Sequence, residues 1–248
     1  MWPRALWLLL TAALLWPQRQ SAPGAPAEFR FVRMEYAELP QTRRGYGLAW
    51  WRQDGPSAEA HFKQGIERLT RIHTGDGHHV PLTGDAVYDY PWLYATQVGY
   101  WDISDAEARR LGDYLRRGGF LVVDDFYGPG EWAVFRDALA RALPDQPVVD
   151  LPNDDPVWHV LYDIDERFFI AGLRHLGIGR GGFSMRRPAD PPEWKGIRDA
   201  SGRLVVLIPF NVDVGDAWEH ADLAEYPEAM TGLAYRIGIN SIVYAMTH

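Results

Sequence analysis

The chain has 248 residues, 47% hydrophobic and 23% charged, with a formal charge of −8 and a pI near 5.5. That balance excludes a disordered tail and a multi-span membrane protein, and the acidity argues against nucleic acid or an anionic membrane surface as the main partner. There is no cysteine, which excludes disulfides, a thiolate nucleophile, a lipid-anchored cysteine, Cys-ligated zinc and iron–sulfur clusters.

Residues 1–27 read as an export signal. Arg4 precedes the near-apolar run Ala5–Trp16, too short to span a bilayer in helix, and Ala25-Pro26-Ala27 is a small-x-small cleavage site that leaves Glu28 first. An uncleaved N-terminal anchor is the alternative. The mature chain is expected in the periplasm or outside the cell, as one domain over 28–248, without a transmembrane span.

Phe29–Tyr36 reads as a first strand. A Gly- and Trp-rich segment, Gly45–Arg52, follows. Ser57 then opens a helix as N-cap, with Phe62, Ile66, Leu69 and Ile72 at helical spacing and an end near Thr74-Gly75. Tyr90–Val98 reads as a buried strand. The strongest unit is 104–124. Ser104-x-x-Glu107 is a capping box, Leu111, Tyr114 and Leu115 form an apolar face, and Gly118-Gly119 supplies a left-handed stop before the buried strand Phe120–Asp124. A helix over 131–143 follows, stopped by Pro144. Residues 156–164 fit helix or strand, and 172–192 read as an extended loop. Trp194–Arg198 and Arg203–Phe210 read as a hairpin. A last helix spans about 228–246, where Gly232 and Gly238 would let it lie close on the sheet. Helix–strand–helix at this spacing predicts an α/β fold with a mainly parallel sheet covered on both faces.

Ligands of open α/β sheets bind beyond the carboxyl ends of the strands. That rule selects Tyr100, Trp101 and Asp102, then Asp124, Asp125 and Tyr127, then the segment from Asn211 through Asp213, Asp216, Trp218 and Glu219 to His220. Asp124 and Asp125 suit acid–base work or a cation; adjacent residues of an extended chain point to opposite sides, so one of them is expected to face the crevice. Their plainer role is capping a helix or holding loop amides. Asp213, Asp216 and Glu219 are weak metal candidates with the oxygen donors that Ca²⁺ and Mg²⁺ take, and a solvated turn-forming loop is the plainer reading of their segment. Arg43, Arg44 and Arg52 are the nearest candidates for relieving a carboxylate cluster. His73, His78 and His79 lack the helical i, i+4 geometry of a zinc motif and read as a surface loop. His159 and His220 read as structural. Trp50, Trp51, Trp101 and Trp218 suit core filling or stacking on sugar rings. Gly177 to Gly182 matches G-x-G-x-x-G formally but lacks the preceding strand and following helix of a dinucleotide site.

Four segments together resemble the DUF4159 family over about residues 29–246: Gly118–Asp125, Leu151–His159, Asn211–Glu219 and Gly238–Ala245. The resemblance implies membership of the class I glutamine amidotransferase-like superfamily and a flavodoxin-like three-layer sandwich. The Gly118–Asp125 segment also resembles that of sugar-utilisation proteins of the same superfamily. The superfamily's nucleophilic cysteine, on the turn after a central strand, has no counterpart here, so no catalytic residue carries over. No nucleotide, flavin, haem or iron–sulfur cluster is expected. The leading expectation is a non-catalytic exported module that binds a small ligand, such as a carbohydrate, or a cell-envelope protein. The alternative is a carboxylate- or metal-dependent hydrolase of a carbohydrate-like substrate. Convergence of Asp124, Asp125, Asp213, Asp216 and Glu219 on one pocket, with at least one buried, would favour the enzyme.

Overall fold

The computed structural model describes residues 26–43, 49–177 and 190–248. Residues 1–25 of the expected export signal, Arg44 and most of the Gly177–Gly182 motif lie outside these. Seven strands form one sheet in the order β2-β1-β3-β4-β7-β6-β5: β1 (Val32–Glu35), β2 (His78–Pro81), β3 (Trp92–Thr96), β4 (Phe120–Asp124), β5 (Val148–Asp150), β6 (Glu193–Arg198) and β7 (Leu204–Phe210). The first five in spatial order run parallel. β6 and β5 are antiparallel additions at one edge. The helices are α1 (Ser57–Leu69), α2 (Asp105–Arg116), α3 (Gly128–Ala142), α4 (Val214–Glu219) and α5 (Glu228–Thr247).

Strand alternation builds the three layers. Trp92, Tyr94, Phe120 and Val122 point to one face and pack with Phe62 and Ile66 of α1, Trp218 of α4, and Leu233 and Ile237 of α5. Leu93, Ala95, Leu121 and Val123 point to the other, against Leu111 and Leu115 of α2 and Phe135 and Leu139 of α3. A strand covered on both faces has no polar side to show, hence the unbroken apolar runs. β4 is central, in parallel register with β3 and β7. The capping box forms: Glu107 N donates to Ser104 Oγ at 3.3 Å, and Ser104 N donates back to Glu107 Oε2 at 2.9 Å. Gly118 ends α2 at φ +107°, where a β-carbon is strained.

Several elements depart from the sequence reading. Pro56, not Ser57, is the N-cap of α1, and the helix ends at Leu69, where Thr70 turns to extended geometry. Residues 156–164 are neither helix nor strand but a single 3₁₀ turn, Pro156–Trp158, followed by irregular chain. The segment expected as a solvated loop after β7 contains α4, whose Val214–Trp218 are all buried. Gly238 approaches Phe62 and Trp218 rather than the sheet, and Gly232 faces open space. Among the described residues, no helix is long and apolar enough to cross a membrane.

Candidate functional site

Four non-glycine residues among those described adopt positive φ: Asp54 (65°), Gln97 (55°), Asp125 (51°) and Asn211 (62°). Gln97, Asp125 and Asn211 follow directly on the carboxyl ends of β3, β4 and β7, and Asp54 ends the connection from β1 to α1. A left-handed residue breaks the two-fold alternation of a strand and turns the chain sharply across the sheet edge. It is tolerated best by Asp and Asn. Such conformations cluster where a fold positions functional groups.

Asp124 and Asp125 are separated by this turn. Asp124, still in β4, points beneath α4: Oδ1 accepts from Val214 N at 3.0 Å, and Oδ2 accepts from Gly215 N at 2.6 Å and Tyr94 OH at 3.0 Å. Asp213, the N-cap, takes the next amide, Asp216 N, at 2.8 Å. Two carboxylates thus satisfy the amides of the first turn of α4. Asp124 is a structural cap, and the cleft is faced by Asp125, whose Oδ1 accepts from Arg174 Nη2 at 2.8 Å and whose Oδ2 accepts from Gln97 Nε2.

Asp54, Asp125 and Asp213 meet with carboxylate oxygens all within 4.8 Å of one another, and all three are buried. Neither oxygen of Asp54 meets a donor at hydrogen-bonding geometry. The Asp54 loop is pinned by the buried Arg33, which donates to Trp51 O at 3.1 Å, Gln53 O at 2.8 Å and Glu59 Oε1 at 2.5 Å. Gly215 leaves room for the group, since a β-carbon there would overlap Tyr94 OH and Asp54 Oδ2. At Gly172 a β-carbon would overlap Asp213 Oδ2.

Burial pushes all these carboxyls up. Asp54 is held well above the usual range by burial, then by Asp216 and Asp125, with Arg33 and the hydrogen-bond donor of the Gln53 side chain opposing. For Asp125, burial outweighs the pull of Arg174, and Asp216 and Asp124 add to it. Asp213 is raised by burial and by Asp125, Asp216 and Asp54. Asp124 is raised by burial to about 7, the α4 amides and Tyr94 holding it down. Like charges this close in a low-dielectric setting cannot all ionise without a proton or a cation between them.

The trio adjoins a cleft of about 440 Å³, lined by Gln53, Gln97, Asp125, Leu173, Arg174, Asp213, Asp216, Glu219 and His220. His220 Nε2 stands 3.5 Å from Glu219 Oε2 and 3.9 Å from Asp216 Oδ1. Glu219 is raised by burial and by Asp216, with His220 opposing. A hollow of about 470 Å³ at Trp132, Arg136, Lys195 and Phe210 has only exposed or half-exposed ionisable groups, so its size does not make it the chemical centre.

Of the residues selected from sequence, Asp125, Asp213, Asp216 and Glu219 line this one cleft. Trp101 and Trp218 do not: both are buried in the core, Trp218 stacked on Phe62 at 4.2 Å and Trp101 on Phe135 at 5.6 Å. Asn211 is a brace, accepting from Gly128 N at 3.0 Å and donating to Pro191 O at 2.8 Å. Tyr100 stands beside the cleft, donating to Glu131 Oε1 at 2.6 Å, and its hydroxyl is pushed up to about 12 by burial and that carboxylate. Tyr127 lies under the Arg174 guanidinium, 4.6 Å from the ring centroid. Arg43 and Arg52 are exposed, Arg52 resting over Trp51. Arg33 and Arg174 supply the positive charge instead. Trp50 packs on Tyr100 and Trp51 on His79. His78 and His79 sit on β2, His79 paired with Glu35. His159 bonds Asp163 Oδ1 and Asn153 O, as a structural residue does.

The sequence reading missed Asp54, Gln97, Arg33 and Arg174. The strand-end rule itself reaches Gln97, the residue after β3, but not Asp54, in the last turn before α1 and far beyond the end of β1. No signal marks Arg174 within its Gly- and Arg-rich loop. Residues 31–246 match the profile of DUF4159, described as a domain of unknown function. The chain belongs to the DUF4159 family. No curated protein matches it. In this DUF4159 domain the profile spans every strand and helix except the last residue of α5.

Proposed function

We propose that this DUF4159 protein is an exported hydrolase of hydroxyl-rich, carbohydrate-like substrates, working in the carboxylate cleft at the strand ends. The carrying observation is the convergence of Asp125, Asp213, Asp216 and Glu219 on one cleft, with buried Asp54 behind them. Perturbed carboxyls gathered in a cleft are the mark of a chemical site. The lining supports the substrate class through hydrogen bonding rather than stacking: amides of Gln53 and Gln97, the Arg174 guanidinium and the carboxylates offer donors and acceptors to hydroxyls. His220 and Glu219 stand at the half-buried side, where a base can take a proton from water and an acid can return one to the leaving oxygen. Arg174 orients the substrate opposite them.

On the amidotransferase-like reading of the sandwich, which we also propose, Asp125 occupies the turn after the central strand that a thiolate takes in that superfamily. The cysteine-free composition removes a thiolate, and the carboxylates and His220 are the groups in the cleft that could do the chemistry. The second reading, a binding module without turnover, is favoured by the ties of Asp125 to Arg174 and Gln97, which leave it a poor nucleophile.

The test is to incubate the purified protein with a panel of glycosides and oligosaccharides and follow products by chromatography. We expect turnover that falls at least about 100-fold in Glu219→Gln or His220→Ala, in line with the loss of a general acid or base. Ligand-induced thermal stabilisation without turnover would instead establish the binding module.

A further inference from the structure

We propose that Asp54, Asp125 and Asp213 form a binding site for a hard divalent cation, Ca²⁺ or Mg²⁺, at the floor of the cleft. The inference rests on the cleft being the functional site, but not on the reaction assigned to it.

Three observations carry it. First, the three carboxylates come from three separate connections, the turn before α1, the turn after β4 and the N-cap of α4, and still bring one oxygen each within a 4.8 Å span. Two oxygens on opposite sides of Ca²⁺, bound at about 2.4 Å, are about 4.8 Å apart, and Mg²⁺ draws them in to about 4.2 Å. The carboxyls of a two-carboxylate glycosidase stand farther apart, at about 5 Å or more. Second, Asp54 is 5% exposed, and neither of its oxygens meets a donor at full hydrogen-bond geometry, the Gln53 side-chain amide being the neutral donor beside it. A buried carboxylate left this way costs free energy unless something positive meets it. Arg33, the cation that acts on it, directs Nε to Glu59 and Nη1 to the carbonyls of Trp51 and Gln53, and its Nη2 is buried without a hydrogen-bond partner of its own. Third, Gln97 is 2% exposed, and its Oε1 is a further buried acceptor without a partner, while its Nε2 holds Asp125. The oxygens of Asp54 and Oε1 of Gln97 are the donor set of a hard cation and not of a thiophilic or imidazole-seeking metal.

The existing bonds leave ligation open. A carboxylate oxygen carries two lone pairs, so Asp125 can keep Arg174 and Gln97, and Asp213 its α4 cap, while each turns a lone pair to the ion. Three carboxylates against one divalent ion leave a single net negative charge, which Arg174 balances. Beside the cleft such an ion would polarise a bound water or a substrate hydroxyl.

Protein stripped with EDTA is titrated with CaCl₂, MgCl₂ and MnCl₂ by calorimetry and by thermal melting. We expect one site per chain and, at about 100-fold excess over Kd, a Tm rise of roughly 5–10 °C for a domain this size. Asp54→Asn should melt no lower than wild type in EDTA, because a buried unpaired charge is gone, and should lose the cation-induced rise. Asp213→Asn keeps the α4 cap, since Asn caps as well as Asp, and is the second variant should Asp54→Asn not fold. Asp76→Asn, an exposed acid paired with Lys63, should keep the full rise. Absence of heat and of any Tm shift with all three cations at millimolar concentration, or an undiminished shift in Asp54→Asn, would overturn the proposal. Cation binding without turnover would leave this site standing and remove the hydrolase. Turnover with no heat and no Tm shift for any of the three cations would do the reverse.

Discussion

Two adjacent aspartates should respond in opposite ways to replacement. Asp124→Ala removes the acceptor for two buried amides, Val214 N and Gly215 N, and for Tyr94 OH. Each orphaned buried group costs about 1–3 kcal/mol. Loss of a carboxylate that burial has raised to about 7 returns part of that. The net loss at pH 7 should be about 2–4 kcal/mol, a large share of a typical stability of about 5–15 kcal/mol. Asp125→Asn gives up an ion pair with Arg174, whose side chain is 46% exposed. Screened by solvent, that pair is worth at most about 1 kcal/mol. In exchange, repulsion from Asp216 and Asp124 is relieved, and the Asn carbonyl can still accept from Gln97. Asp125→Asn should therefore lie within about 1 kcal/mol of wild type in EDTA, or above it. Urea unfolding at pH 7 with linear extrapolation reads both, provided m is unchanged. If Asp124→Ala unfolds within 1 kcal/mol of wild type, or Asp125→Asn is the costlier of the two, the division into a structural cap and a cleft carboxylate is wrong.

Gly215→Ala places a β-carbon on Tyr94 OH and Asp54 Oδ2; overpacking should cost about 1–3 kcal/mol and lower Tm by several degrees, and an unchanged melt would show that the carboxylate group has slack. Without a divalent cation, stability should fall as pH rises from about 4 to 7. Asp54, Asp124, Asp125 and Asp213 have folded pKa values above their unfolded ones, so the native state holds more protons across that window and loses stability as they leave. Urea midpoints in EDTA at pH 5, 6 and 7 check the sign, and midpoints that climb across the series would contradict it. Ser104→Ala dismantles the α2 capping box, far from the cleft; denaturation should register a loss of about 1 kcal/mol with ligand or cation affinity untouched.

What was legible in the chain was local. The 104–124 unit could be read because each signal is a short-range bond or turn: Ser104 to Glu107, Gly118 at positive φ, four apolar residues in a row, Phe120–Val123. β2 and β5 escaped because four and three residues, largely exposed or half-exposed, carry no periodicity. α4 escaped for a different reason. Its acids look like those of a solvated loop, yet Asp213 caps the helix and Asp216 holds Leu173 N, so these two acids are buried together with the apolar residues of the segment. Trp101 and Trp218 were placed at strand ends correctly as chain positions, but large apolar side chains in those segments turn back into the two core layers. Arg43 and Arg52 are near in sequence, whereas the cations that reach the carboxylates come from within β1 and from the connection between β5 and β6.

The rest of the site could not be read because it exists only where turns from distant segments meet. Asp54 sits in Gln53-Asp54-Gly55-Pro56, which reads as an ordinary turn, and nothing local says that its carboxylate is driven inward without a partner. Its meaning comes from Asp125 and Asp213, 71 and 159 positions downstream. A fold pays local strain at Asp54, Gln97 and Asp125 to keep polar groups at one sheet edge, when a glycine at each turn and an apolar side chain behind it would be more stable. Replacing an unpartnered buried charge with an apolar group of similar shape is commonly stabilising. The combination of strained turns, orphaned acceptors and glycines cleared around them therefore has no account in stability alone, and points to the ligand that these oxygens would bind.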